Sequence, residues 1–165
     1  IRLGVTKMSA NRCFDEIEYL NVDILGMKGK SRVITVPADI QKLWNDVRVI
    51  LRNPVIARYE LKEDIQLGKK AGITALCEYS LLSDNEYPTY AITKKEITES
   101  GIRKMKQVHS GEEIGCVVLE LGYFIDFKNK KLEDPLSVTL SLTESEKQDE
   151  RIGISIKRML EEYVW

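Results

Sequence analysis

The sequence predicts an α+β fold in two parts, a helix–hairpin unit over residues 1–37 and a mixed α/β domain over residues 38–165. Three observations lead to this prediction. A helical pattern near residue 7 is followed directly by two short β-type runs around glycines, the near-continuous apolar run CVVLELGYF indicates a central strand, and residues 144–165 return to helical periodicity. A chain of 165 residues that is 43% hydrophobic can bury a core without disulfides or a metal ion.

The first part begins with a helix that Thr6 is placed to cap, because its hydroxyl can accept from the first free backbone amides. Asn21 is a reasonable end for this helix. Its apolar positions are Met8, Cys13, Phe14, Ile17 and Leu20. Residues 22–25 and 31–36 then read as two strands, with Gly26 and Gly29 permitting the hairpin turn, and Pro37 is expected in the first turn of the next element.

The second part alternates predicted helices and strands. We expect an amphipathic helix over 38–52, a strand over 55–61, a buried short helix over 71–82, a strand over 87–93, the central strand over 116–124, and a terminal helix within 144–165. Residues 134–142 fit either a strand or a short helix, since periodicity does not decide over so few positions. Gly153 weakens the terminal helix by up to about 1 kcal/mol relative to alanine, so packing has to stabilise it.

Charge is unevenly distributed along the chain. The net charge of −1 excludes a uniformly basic nucleic-acid coat, but residues 1–34 carry six Lys or Arg against four Asp or Glu. Between residues 24 and 34, Lys28, Lys30 and Arg32 occur with no acidic residue among them. A small basic patch of this kind is typical of a protein that meets a polyanion with one end only.

The cysteines and the hydropathy pattern bear on the compartment. Cys13, Cys77 and Cys116 are far apart, have apolar neighbours and show no metal-ligand spacing, so we interpret them as reduced core residues. No apolar run approaches the roughly 20 residues that span a bilayer, and no signal-peptide pattern is present. We therefore expect a cytoplasmic protein without a membrane partner.

Few residues suggest enzyme chemistry. His109 is the only histidine, which excludes most histidine-based nucleophile and metal schemes, and Gly68 with the two following lysines lacks the earlier glycine of a P-loop. We interpret the remaining acidic clusters as solvated loops or surface acids: Glu112 and Glu113; Glu60, Glu63 and Asp64; and Asp126, Glu133 and Asp134. We interpret four tyrosines as packing residues: Tyr79, Tyr87, Tyr90 and Tyr123. We predict no catalytic residue, no metal site, no cofactor and no enzymatic activity.

The opening stretch, RLGVTKMSANRCFDEIEYL followed by ILGMKGKSRVI, resembles the second half of a winged helix-turn-helix of MarR-like bacterial regulators. In that resemblance Gly4 is the turn, Val5 a core anchor and Thr6 the cap of the recognition helix. The early polar residues Lys7, Ser9, Asn11 and Arg12 would then face the DNA major groove, and Lys28, Lys30 and Arg32 would form a basic wing over the backbone. The alternative is an ordinary amphipathic surface helix followed by a basic hairpin.

A complete winged helix has one or two helices before residue 3, so residues 1–37 are expected to be the C-terminal half of the motif. Met8, Phe14 and Ile17 should then be partly uncovered. Much of residues 54–165, including GITALCEYSLL, PTYAI, DPLS and EEYVW, resembles bacterial proteins with a winged-helix N-terminus, some of them grouped with abortive-infection type IV antitoxins.

These resemblances imply a transcription regulator that binds double-stranded DNA, with residues 38–165 as an effector-sensing, partner-binding or dimerisation domain. A homodimer would match two DNA half-sites. The alternative is an antitoxin-like module that binds a protein partner and has no enzymatic activity.

Overall fold

The computed structural model describes residues 6–83, 86–125 and 127–165, and this part of the chain is mixed α+β with seven α-helices and two sheets. The chain divides into two compact units, Ile1–Leu51 and Arg52–Trp165, which we call unit 1 and unit 2. The division falls after residue 51, and the helix at Ile40–Val47, predicted as the start of the second domain, belongs to unit 1.

Unit 1 contains helix α1 (Lys7–Tyr19), strands β1 (Leu25–Lys28) and β2 (Ser31–Ile34), and helix α2 (Ile40–Val47). Thr6 caps α1 as predicted, and Asn21 follows the end of the helix with a positive φ of 53°. The two strands form an antiparallel hairpin in which Leu25 is paired with Ile34 and Lys28 with Ser31.

Several predicted boundaries in unit 1 are wrong. The first strand starts at Leu25, so Gly26 lies inside it, and Gly29, with a φ of 62°, is the glycine that makes the turn. Pro37 precedes α2 without entering its first turn, because Asp39 supplies the cap by accepting a hydrogen bond from the Lys42 amide at 2.8 Å. Helix α2 is accordingly shorter than the predicted 38–52.

Unit 1 buries little apolar surface. Its buried hydrophobic residues are Ile17, Ile24 and Trp44, and no core cluster of the described residues includes any of them. Met8 is 67% exposed and Phe14 is half-buried, as expected for a partly uncovered face. Ile17 is buried, so the expectation is wrong for this residue. Cys13 is exposed on α1, which corrects its prediction as a core residue. Many other large apolar side chains of this unit are also exposed, namely Tyr19, Met27, Ile34, Val36, Ile40, Val49 and Leu51.

Unit 2 is built on a four-stranded sheet of β3 (Val55–Leu61), β4 (Lys69–Lys70), β5 (Thr89–Thr93) and β6 (Cys116–Leu121) in the order β3-β6-β5-β4. Strand β6 runs antiparallel to β3 and parallel to β5. All six of its residues are buried, which confirms the prediction of a central strand covered on both faces. Alternate residues contribute to two core clusters, with Cys116 and Val118 in one and Val117 and Leu119 in the other, as the pleat of a strand requires.

The helices of unit 2 are α3 (Gly72–Tyr79), α4 (Lys94–Ser100), α5 (Pro135–Ser141), α6 (Glu144–Gln148) and α7 (Glu150–Tyr163), with a 3₁₀ turn at Ile102–Lys104. Helices α3, α5 and α7 share a third core cluster around Leu76, Val138 and Met159. Residues 134–142 therefore take the helical alternative. The predicted terminal helix is two helices, because Asp149 ends α6 and caps α7.

The segment before α5 differs most from its prediction. Glu133 and Asp134, expected at the edge of a solvated loop, are 1% and 3% exposed. Asp126, which was grouped with them, lies outside the described residues, as do Gly4 and Val5 of the proposed turn. Burial of two adjacent carboxyl groups needs specific partners, since an uncompensated buried charge is costly.

Candidate nucleic-acid interface

Helix α1 and the β1–β2 hairpin form the two walls of an open groove of about 560 Å³ within unit 1. Its lining comprises Lys7, Ala10, Asn11, Phe14, Asp15, Lys30, Ser31 and Arg32. The helix contributes five residues, each three or four positions from another, which therefore lie on one stripe: Lys7, Ala10, Asn11, Phe14 and Asp15. The hairpin contributes three consecutive residues that begin directly after the turn glycine. The groove therefore brings together polar side chains from two separate elements.

Arg32 connects the two walls of this groove. Its Nη1 donates to Asp15 Oδ1 at 2.7 Å, and its guanidinium carbon lies 5.9 Å from the centre of the Phe14 ring. The hydrogen bond to Asp15 raises the pKa of Arg32. The Arg32 side chain is still 44% exposed, and a guanidinium has five N–H donors, so Arg32 retains capacity for a further ligand.

Thr6 and Ser9 form the start of α1. The Thr6 hydroxyl accepts a hydrogen bond from the Ser9 amide at 3.1 Å, and the two hydroxyl oxygens lie 3.0 Å apart. This cap satisfies one of the free amides of the first turn and fixes the backbone that carries Lys7 and Asn11. Both residues are exposed, but neither lines the groove.

The predicted binding residues therefore separate into two groups. Lys7, Asn11, Lys30 and Arg32 line the groove, whereas Thr6, Ser9, Arg12 and Lys28 are exposed outside its lining. Five helical positions, about 500° of rotation at 3.6 residues per turn, separate Arg12 from Lys7, which turns Arg12 well away from the Lys7 stripe.

Asp15 and Ser31 also line the groove, although neither was predicted as a binding residue. The acidic side chain was visible in the helical pattern, but its pairing with Arg32 depends on how the hairpin folds back on α1. The lining thus carries three cationic side chains and one carboxylate.

A buried carboxylate in unit 2 has two hydrogen-bond partners on one of its oxygens. Glu120 on β6 is 2% exposed and accepts from the Tyr59 hydroxyl at 2.9 Å and from Arg103 Nη2 at 3.2 Å. Arg103 Nε also reaches the Tyr59 oxygen at 3.4 Å, and the Arg103 side chain is 54% exposed. Because every partner of Glu120 lies within unit 2, this network explains how the sheet tolerates a charge and does not form an open site.

The polar loop around His109 is organised by ion pairing. His109 is exposed, and its backbone amide donates to Glu112 Oε2 at 2.9 Å, while Glu112 also pairs with Lys62. The hydrogen bond from Lys62 lowers the pKa of Glu112. Among the residues that the structure describes, no group of three or more His, Cys, Asp or Glu side chains could bind a metal ion.

Comparison with protein-family models, with curated protein sequences and with solved structures gave no match to this chain. Within the described ranges, none of the helices is both long and apolar enough to cross a membrane. The geometry of the groove is therefore the observation on which a functional proposal rests.

Proposed function

We propose that unit 1 binds double-stranded DNA as part of a transcription regulator, with α1 as a recognition helix in the major groove and the β1–β2 hairpin as a basic wing on the backbone. The observation that carries the proposal is the groove in which Lys7 and Asn11 of α1 face Lys30 and Arg32 of the hairpin. A single capped helix would be weak support, but a helix and a basic hairpin that share one groove offer base-edge and phosphate contacts together.

The dimensions and the side chains of α1 suit this role. Its 13 residues span about 20 Å, and an α-helix fits the major groove of B-form DNA. Asn11 offers the donor and acceptor pair that reads adenine, and Lys7 can donate to guanine or to a phosphate. Lys28 and Lys30 flank the turn at Gly29 and are both exposed, so the hairpin presents its charge at the tip.

Asp15 limits where the phosphates can lie. A carboxylate on the groove wall repels a phosphate, and its partner Arg32 is partly neutralised by the ion pair. The backbone should therefore follow the hairpin tip, where Lys28 and Lys30 have no acidic residue beside them in sequence. We expect these two lysines to supply most of the salt-sensitive affinity, and Asn11 to supply discrimination between bases.

The test is a salt series of binding to fluorescein-labelled duplexes, first a pool of random sequence and then the sequences enriched from it. For the Lys28→Ala/Lys30→Ala variant, loss of two phosphate contacts should make the slope of log affinity against log salt shallower by about 1.8. Asn11→Ala should leave that slope unchanged and lose roughly 1–3 kcal/mol of discrimination at one base pair.

The matched control is Lys95→Ala, which removes an exposed lysine from α4 in unit 2, where its side chain is 83% exposed. It should bind with the slope of the unchanged protein. A binding curve independent of salt, or equal slopes for the hairpin variant and the Lys95 control, would refute DNA binding by unit 1 and favour the protein-interaction alternative.

A further inference from the structure

Glu133 lies where a strand and two helices of unit 2 meet. Its backbone amide donates to the Lys70 carbonyl of β4 at 2.9 Å, and its carbonyl accepts from the Tyr79 hydroxyl of α3 at 2.8 Å. The Lys70 amide in turn donates to the Lys131 carbonyl at 2.9 Å. Residues 131–133 thus continue the sheet beyond β4 and connect it to α3, immediately before α5 begins.

The side chain of Glu133 joins the same elements. Its Oε2 accepts from the Gly72 amide at the start of α3 at 3.2 Å and lies 3.5 Å from Ser141 Oγ of α5, which also donates to the Val138 carbonyl at 3.0 Å. Oε1 is buried and has no hydrogen-bond partner in the part of the chain that the structure describes. A carboxyl group that is 1% exposed therefore has one oxygen engaged and one oxygen orphaned.

The charged surroundings do not compensate a negative charge at this position. Asp134 follows in the same segment, is 3% exposed and accepts from the Ser137 amide at 3.0 Å as the cap of α5. Helix α5 has no titratable side chain. Lys69 of β4 is the cation whose charge acts on Glu133, but its ammonium lies 5.1 Å from the centre of the Phe124 ring, and no ion pair within the described residues includes Glu133.

Other titratable groups near this junction include two tyrosines and a glutamate that is paired elsewhere. Tyr79 of α3 packs against Tyr163 of α7 with ring centres 5.0 Å apart, and burial raises the pKa of Tyr79 to about 12. Burial also raises the pKa of Tyr123, with a contribution from the two adjacent carboxyl groups. Glu78, on the outer side of α3, pairs with Lys70.

Burial raises the pKa of Glu133 to about 7, against an opposing contribution from the Gly72 hydrogen bond. The two protonation states of Glu133 differ in which polar group they leave buried without a partner. The neutral acid leaves one hydroxyl donor without an acceptor, whereas the carboxylate leaves a charge beside Asp134 with an oxygen that only water can solvate. Solvating that oxygen requires the junction to open.

We propose that Glu133 makes the junction of β4, α3 and α5 a pH-sensitive switch, closed while the side chain is protonated and opened to water when it ionises. The observations that carry the switch are the buried orphaned oxygen, the hydrogen bonds from this one residue to β4 and α3, and its contact with Ser141 of α5. It is independent of whether unit 1 binds DNA.

The direction of the effect follows from the two states of the side chain. In the open junction Glu133 has its ordinary pKa of 4.5, and in the closed junction its pKa is about 7. The closed junction thus binds the proton more tightly than the open junction does. The resulting stabilisation of the closed junction is fully present below the pKa of the open state, and it is lost as the pH rises through the pKa of the closed state. With these values the population of the open junction rises about tenfold from pH 6 to pH 8.

Amide hydrogen exchange tests this expectation. After correction for the intrinsic rate, exchange at the amides of Lys70, Gly72 and Glu133 should accelerate about tenfold from pH 6 to pH 8. Glu133→Gln, which is neutral at every pH, should remove the acceleration. Glu78→Gln, which removes a carboxylate from the exposed side of α3, should retain it.

A direct titration decides the matter even if the glutamine variant does not fold. The NMR shift of the Glu133 side-chain carboxyl carbon, followed in the unchanged protein, should titrate with a midpoint of about 7. A midpoint near that of an ordinary glutamate would overturn the proposal, as would equal acceleration of exchange in the Glu133→Gln and unchanged proteins.

Discussion

Two glycines with the same positive φ offer a controlled test of packing in unit 2. Gly68, in the loop before β4, and Gly101, at the end of α4, both have a φ of 71°. A Cβ on Gly68 would lie 2.3 Å from the Ala91 carbonyl oxygen and 2.3 Å from Ile92 Cγ2, whereas a Cβ on Gly101 would have no atom within 4 Å. Alanine therefore introduces the strain of a positive φ at both positions and a collision at only one.

The magnitudes follow from these contacts. A left-handed alanine costs roughly 1–2 kcal/mol, from which the smaller conformational entropy of its unfolded chain recovers roughly 0.4–1 kcal/mol. Gly101→Ala should therefore lower the free energy of unfolding by about 1 kcal/mol. Gly68→Ala adds the displacement of a backbone carbonyl in a strand that pairs with central β6, and overpacking of this kind costs roughly 1–3 kcal/mol more. We expect the two variants to differ by about 2 kcal/mol.

Urea unfolding followed by tryptophan fluorescence measures this difference. The chain has two tryptophans, Trp44 in α2 of unit 1 and Trp165, which packs against the helical core cluster of unit 2. In a Trp44→Phe background only Trp165 reports. With a urea m-value of about 2 kcal/mol/M, the midpoint of Gly68→Ala should lie about 1 M below that of Gly101→Ala. Equal midpoints for the two variants would show that the loop moves away from β5 at no cost, and would refute the argument.

Three further outcomes follow from burial and capping. The Trp44 signal should change at a lower urea concentration than the Trp165 signal, because unit 1 has no apolar core cluster among its described residues; coincident transitions in single-tryptophan variants would contradict this. A thiol reagent should modify exposed Cys13 rapidly in the native protein. It should modify buried Cys116, whose thiol pKa is raised by burial, only when the protein unfolds, and peptide mapping by mass spectrometry distinguishes the two sites. Thr6→Ala should lower the stability of unit 1 by about 1 kcal/mol while Thr6→Ser does not, measured from the Trp44 transition, and equal losses would show that the cap contributes nothing.

The features that the sequence predicts well are those decided by neighbouring residues. Thr6 caps α1 because a hydroxyl at that position can reach an amide three residues later, whatever the rest of the fold does. Strand β6 is central because its continuous apolar run has to be covered on both faces. In both cases the signal and the structure lie within a few residues of each other.

The errors arise where distant residues decide the outcome. Glu133 lies within the lysine-rich run FKNKKLEDP and reads as solvated, yet its hydrogen bonds with Lys70 and Gly72, about 60 positions away, bury it in the core. Cys13 reads as apolar and lies one helical turn before buried Ile17, yet it is exposed, so helical periodicity alone does not show how far α1 is covered. Helix α4 was not predicted, although Thr93 and Glu96 form a capping box, because KKEITES carries too little apolar periodicity to be detected.

The same distinction governs the candidate interface. The sequence predicts a basic hairpin from Lys28, Lys30 and Arg32, and counting those charges treats them as equivalent. In the structure Arg32 is paired with Asp15 and packs near Phe14, so it orders the groove and contributes less free charge than either lysine at the tip. An exposed ion pair of this kind is worth only about 0–1 kcal/mol, so a phosphate that approaches Arg32 can compete with Asp15 for it. We therefore expect Lys28 and Lys30 to supply affinity, whereas Arg32 fixes the geometry of the groove. For this reason, variants at the hairpin tip test binding more cleanly than a variant at Arg32.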